Sequence, residues 1–264
     1  MQVVVGTDLA ELAADALWQA QPSAVLEVDL GDGLVRLTAD VADPSLVDAR
    51  WSPEVLVVDD DGYLDAWRTW AVPIRAGRRF VVHPAWIPRD GDGEDLVIVI
   101  DPGRAFGSGS HESTRLALAL LEPMVRPGDR VLDVGCGSGV LAVAACLLGA
   151  AAVDGIDVEP AAVSATEANA AANDVGGRIA ASTRALVDVG GTYDIVVANI
   201  GGGVLSRLAP DLEPRVAPGG ALVLSGVLED QLDALVARCG ACVEEERQLE
   251  GGWAAVRLRR VSPR

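Results

Sequence analysis

The chain has 264 residues, half of them hydrophobic, which suffices for one large or two modest domains and excludes intrinsic disorder. It carries 39 acidic residues against 21 basic ones, every basic residue an arginine, for a formal net charge of -18. Such a surface lacks the cations that replace counterions on a nucleic-acid backbone, while it suits attraction of a basic partner; genome composition or a salty cytoplasm accounts for the same excess.

The longest apolar runs, such as residues 140–153, fall short of the ~20 residues a membrane-spanning helix needs. Met1-Gln2-Val3 opens no basic segment followed by a long apolar one. The expectation is a soluble, cytoplasmic monomer that contacts neither membrane nor nucleic acid. Cys239-Gly240-Ala241-Cys242 is the one CxxC pair and the chain has two histidines, His83 and His111, so neither zinc nor thioredoxin-like chemistry is expected.

In chain order, residues 3–5 read as a strand. Asp8 reads as the cap of a helix, with Glu11 three positions on and Leu9, Leu12, Ala13, Ala16 and Leu17 on its apolar face. Residues 25–30 and 34–41 form a hairpin about Gly31-Asp32-Gly33. A helical turn within 44–50 and a strand at 54–58 complete a β-α-β-β-α-β order, that of a small α+β ferredoxin-like unit. Residues 62–88, with Trp67, Trp70, Phe80 and Trp86, read as a connector whose aromatics pack between two units.

From residue 96 the pattern turns to alternating strand and helix. Strands are expected at 96–100, 131–134, 152–156, 195–198 and 221–224, and helices up to 121 and over 140–148, 160–173 and 229–239. A hairpin of 242–248 with 253–259 closes the chain. Short apolar strands separated by helices imply an α/β, doubly wound, mostly parallel sheet covered on both faces, with an antiparallel C-terminal hairpin. The expected division is 1–60 as a small substrate-recruiting domain, 61–95 as connector and 96–264 as the catalytic domain.

The sharpest motif is Val131-Leu132-Asp133-Val134-Gly135-Cys136-Gly137-Ser138-Gly139, a strand running through a glycine loop into a helix. A dinucleotide fingerprint would put its third glycine at position 140, which is Val140, and a Walker loop needs the lysine this chain lacks. Asp157 closes the second strand, where a carboxylate accepts from ribose hydroxyls. A glycine loop and a ribose acid without a pyrophosphate fingerprint suit a nucleoside cofactor lacking phosphates, S-adenosylmethionine being the candidate. Simple packing of a βα turn is the bland alternative.

Asp101-Pro102-Gly103-Arg104-Ala105-Phe106-Gly107-Ser108-Gly109-Ser110-His111, too glycine-rich for core, precedes this loop, and Ala198-Asn199-Ile200 ends a later strand. Together with Gly155-Ile156-Asp157, Leu224-Ser225-Gly226 and the segment from Trp67 to Trp86, these resemble the PrmA-like family, methyltransferases of the large-subunit ribosomal protein L-eleven. The resemblance covers residues 67–264; the first sixty share only the family's element order.

The resemblance implies a seven-stranded class I methyltransferase sheet and S-adenosylmethionine as cofactor. It implies contacts to the cofactor from Thr114, Gly135, Asp157 and Asn199, with Phe106 walling the methyl site. Asp133 and Gly137 belong to the same loop, Asp133 as the acid that orders it, while Asn199 and Ile200 orient the acceptor nitrogen. His111 is expected to hold the start of a helix rather than to act as a base. The implied reaction is N-methylation of amines on a basic protein, most simply the ribosomal protein, with another protein, a small molecule or non-catalytic binding as alternatives. The run Gly201-Gly202-Gly203 departs from the bulkier apolar residue the family carries there.

Overall fold

A computed structural model describes residues 1–18, 25–31, 33–39, 47–55, 71–88, 95–101, 107 and 109–261. The chain divides into two units, Met1–Trp67 and Arg68–Arg264.

In the first unit, β1 (Gln2–Gly6), β2 (Val25–Gly31) and β3 (Leu34–Ala39) form an antiparallel sheet in the order β1-β3-β2. Glu54 bridges Gln2 on the free edge of β1, with both backbone hydrogen bonds at 2.8 Å. The order four-one-three-two of a ferredoxin-like unit results, its fourth strand represented among the described residues by this bridge; the expected residues 56–58 lie outside the described part. The expected turn within 44–50 is a 3-10 turn, Ala49–Trp51, whose N-cap Asp48 accepts from the Arg50 amide.

Helix α1 (Ala10–Trp18) departs from expectation in two ways. It is entered through a 3-10 turn, Thr7–Leu9, capped by Gly6, so Asp8 lies inside the turn rather than at its cap. Both the amide and the hydroxyl of Thr7 donate to the Gly33 carbonyl, which fixes the turn to the hairpin and sets the helix phase. The buried face is accordingly Ala10, Ala13 and Leu17, packed on Val3, Val35 and Leu37, while Leu9 and Leu12 stay exposed.

The second unit is built on seven strands in the order β12-β13-β11-β10-β7-β8-β9. These are β7 (Arg130–Val134), β8 (Ala152–Ile156), β9 (Ile179–Ser182), β10 (Tyr193–Asn199), β11 (Val216–Leu228), β12 (Cys242–Glu250) and β13 (Trp253–Arg260). Pairing is parallel from β9 through to β11; β13 runs antiparallel between β11 and β12. Helices are α2 (Glu112–Leu121), α3 (Val140–Leu148), α4 (Pro160–Ala172), α5 (Gly202–Leu212) and α6 (Glu229–Val236).

Both faces of the sheet are buried, and successive residues of one strand feed opposite cores. Ile195 and Val197 of β10 join Leu118, Leu141 and Ala144 on one side, whereas Val196 and Ala198 join Leu205, Leu212 and Leu232 on the other. The strand at 96–100, expected in the main alternation, lies instead in a small separate sheet. There β6 (Leu96–Ile100) pairs parallel with β5 (Phe80–Pro84), which pairs antiparallel with β4 (Ile74–Ala76). Phe80, Val82, Ile98 and Ile100 share a core with Leu116, Leu120 and Val143, so β4 and β5 contribute side chains to the second unit's core. Glu122 at the end of α2 holds the β4–β5 turn, accepting from the Arg78 amide at 2.6 Å and Arg79 Nε at 3.0 Å.

Candidate active site

The glycine loop after β7 turns because Gly135, Gly137 and Gly139 all adopt the left-handed region, with φ of 76, 52 and 80°. Alternating spacing therefore has a backbone cause. Gly135 has a second: a Cβ there would collide with Cγ2 of Ile200, so the loop lies directly on the end of β10. The amides of Gly135 and Cys136 donate to the Ile156 carbonyl at 2.8 and 3.1 Å, pinning the loop to β8.

Asp157 follows β8 and is half-buried. Its Oδ2 accepts from the Gly137 amide at 2.9 Å and its Oδ1 from the Glu159 amide at 3.0 Å, so its orientation is set by the chain itself. Each oxygen keeps a lone pair for a ligand. Val158 beside it is 87% exposed, an apolar surface next to a carboxylate at the carboxyl edge of the sheet.

Asp133 is fully buried, and among the described residues neither carboxylate oxygen has a hydrogen-bond partner, so the expected ordering of the glycine loop by this acid is not seen. Burial pushes its pKa up to about 7; the Ala142 amide pulls the other way without forming a hydrogen bond, and the like charge of Asp157 adds to the rise.

Asn199 ends β10. Its Nδ2 donates to Thr114 Oγ1 at 3.1 Å, and Thr114 is buried in the first turn of α2. Beside this link, Ser225 Oγ of β11 donates to the Ser113 carbonyl at 2.8 Å, so the start of α2 is tied to two neighbouring strand ends. The Ile200 amide donates to the Ser225 carbonyl at 3.2 Å, and Gly226 at φ 90° makes room for the Ile200 backbone, whose carbonyl oxygen lies 2.5 Å from where a Cβ would sit. His111 is the N-cap of α2: its Nδ1 accepts from the Ser113 amide at 3.2 Å and its ring meets Trp253 edge-on at 4.6 Å. That engagement removes Nδ1 as a base.

The structure thus joins Thr114 to Asn199, Gly137 to Asp157 and Gly135 to Ile200. Phe106 lies outside the described residues. Two buried residues that carry no motif signal also serve the loop: Thr166 Oγ1 donates to the Gly137 carbonyl at 3.0 Å, and Asn169 Nδ2 to the Ser138 carbonyl at 2.9 Å. Of the triple glycine, Gly202 is packed, since a Cβ would stand 2.7 Å from Gln231 Oε1, whereas Gly201 and Gly203 face open space.

A left-handed glycine loop, a ribose-height carboxylate flanked by an exposed apolar side chain and no lysine for phosphates fit S-adenosylmethionine. The 3-2-1-4-5-7-6 strand order, with this site at the carboxyl edge, defines a class I S-adenosylmethionine-dependent methyltransferase. Residues 19–261 match the model of the family described as ribosomal protein L11 methyltransferase (PrmA). The chain belongs to that family.

Among relatives, the ribosomal protein L11 methyltransferase of Pelotomaculum thermopropionicum is 44% identical over 205 residues, covering 76% of this chain and 67% of that protein. That of Geotalea uraniireducens is 40% identical over 223 residues, covering 78% and 70%. The crystal structure of ribosomal protein L11 methylase from Lactobacillus delbrueckii subsp. bulgaricus superposes with a TM-score of 0.66 at 33% identity, covering 72% of this chain and 99% of that one. Among the described residues no helix is long and apolar enough to cross a membrane.

Proposed function

We propose that the enzyme transfers methyl groups from S-adenosylmethionine to amino groups, lysine side chains or the α-amine, of ribosomal protein L11. The observation that carries this reading is the Thr114–Asn199 pair beside the glycine loop, in a chain whose relatives bear that substrate's name. When bound, S-adenosylmethionine supplies a sulfonium-activated methyl group. In this reading Gly135, Gly137 and Thr114 cradle the cofactor, with Asp133 behind them at the end of β7, Asp157 holds the ribose hydroxyls and Phe106 walls the methyl site.

The residues' remaining task is to present a neutral amine. Deprotonation at neutral pH costs a lysine roughly 4–5 kcal/mol and an α-amino group only ~1 kcal/mol. A cationic neighbour lowers the amine's pKa further. Because Asn199 donates its Nδ2 to Thr114, its Oδ1 is left to accept a hydrogen from the acceptor nitrogen. The Ile200 carbonyl serves as a second acceptor, and together they aim the lone pair at the methyl group. With His111 engaged as a helix cap, no dedicated base enters the scheme.

The acidic surface suits a basic ribosomal protein, and residues 1–60 are proposed to recruit it. The test is incubation with labelled S-adenosylmethionine and lysate from cells lacking the enzyme. Label on ribosomal protein L11 is the expected result; label only on another protein or on small molecules overturns the substrate.

A further inference from the structure

Among the described residues, strand β6 pairs with another strand, β5, on one edge only. Its other edge meets α4 through two asparagines four residues apart. Asn173 Oδ1 accepts from the Val99 amide at 2.8 Å, and its Nδ2 donates to the Val99 carbonyl at 2.7 Å. Asn169 repeats this on Asp101, accepting from its amide and donating to its carbonyl, both at 2.9 Å. Positions i and i+4 of a helix rise ~6 Å, and positions i and i+2 of a strand ~6.6 Å. Two amide side chains at helical spacing therefore imitate a neighbouring strand.

The two amides differ in what else they hold. Asn173 Nδ2 returns to its own helix, at the Asn169 carbonyl. Asn169, 2% exposed, donates instead to the Ser138 carbonyl in the glycine loop. Ser138, fully buried, in turn donates its Oγ to the Gly107 carbonyl at 2.5 Å. The segment after β6 is thus fastened to the glycine loop at Asp101 through Asn169 and at Gly107 through Ser138.

We infer that Asn169 is a positioning residue for cofactor binding, which fixes the glycine loop against the end of β6, whereas Asn173 serves the fold alone. This rests on the glycine loop being the S-adenosylmethionine site. It acts by holding the Ser138 carbonyl and Asp101 at one separation, so that the loop is preorganised before the ligand arrives.

The test compares Asn169→Asp with Asn173→Asp, each of which removes the donors and keeps the shape, with the alanine pair as a second set. Both replacements at both positions should lower the thermal midpoint. Calorimetry with S-adenosylhomocysteine should show a dissociation constant about tenfold weaker for the Asn169 variants and within about twofold of wild type for the Asn173 variants. Turnover should show KM for the cofactor raised at Asn169 with kcat within about threefold of wild type. Equal dissociation constants at the two positions, in either direction, overturn the inference. Failure of the wild-type enzyme to bind S-adenosylhomocysteine overturns the site itself, a separate result.

Discussion

At the scale of single residues, three carboxyl and amide groups carry separable tasks. Replacing Asp157 by alanine should weaken S-adenosylhomocysteine binding by ~1–3 kcal/mol, because ribose hydroxyls lose their acceptor; an unchanged dissociation constant would remove it from the site. Asn199→Ala should lower turnover more than cofactor affinity, since its nitrogen is already committed to Thr114 and the proposed task of its oxygen is to accept from the substrate amine. Equal losses in both would reassign it to the cofactor. The stability of the enzyme should depend on pH through Asp133. Its pKa in the folded state is raised to about 7, above the value near 3.8 of an unfolded chain. Between those values the folded state binds more protons, so stability must fall as pH rises through that window. From pH 5 to pH 8 this group should cost about 3 kcal/mol. Urea midpoints of wild type and Asp133→Asn measure it: parallel pH profiles would show that the carboxyl does not titrate as described.

At the scale of elements, the meeting of β10, β11 and the glycine loop depends on Gly135 and Gly226, each left without a side chain because Ile200 occupies the space. Gly226→Ala combines a left-handed φ with a clash against the Ile200 backbone. It should cost ~1–3 kcal/mol in urea unfolding and slow single-turnover methyl transfer more than it weakens the cofactor; a shift confined to stability would show that Ile200 is not held by this contact. The sequence showed most of this layer. Glycine loop, Asp157 and Asn199 stood out because positive φ and a lone carboxylate at a strand end leave few residue choices. What escaped is equally physical. Strand β9, Ile179-Ala180-Ala181-Ser182, is a short edge strand with little apolar signal. Helix α5 hides its face of Leu205, Ala209 and Leu212 behind two leading glycines and an internal Pro210. Residues 96–100 read as one more strand of the main sheet, since periodicity reports burial and not which sheet a strand joins. Asn169 sits in an Ala-rich helix and Asn173 is its C-cap, and that sequence gives no hint that two amides replace a strand.

At the scale of the whole molecule, the first unit has a core of its own, with Val3, Leu17, Val35 and Leu37, and the second unit carries two more, one on each face of its sheet. A chain beginning at Arg68 should therefore keep its affinity for S-adenosylhomocysteine and lose methylation of ribosomal protein L11. Methylation by the full chain should weaken steeply with salt, because exposed charges are screened beyond ~8 Å at physiological ionic strength. Equal rates for the short and full chains would return the acidity of the first unit to genome bias. The insertion of β13 between β11 and β12 has a consequence for synthesis. The sheet's second position from one edge is filled by β13, which is made after the edge strand β12, so a nascent chain carries β11 with an open edge until β13 has emerged. A message cut short within this hairpin leaves β11 with an exposed apolar edge, a template for aggregation, rather than a slightly shorter enzyme.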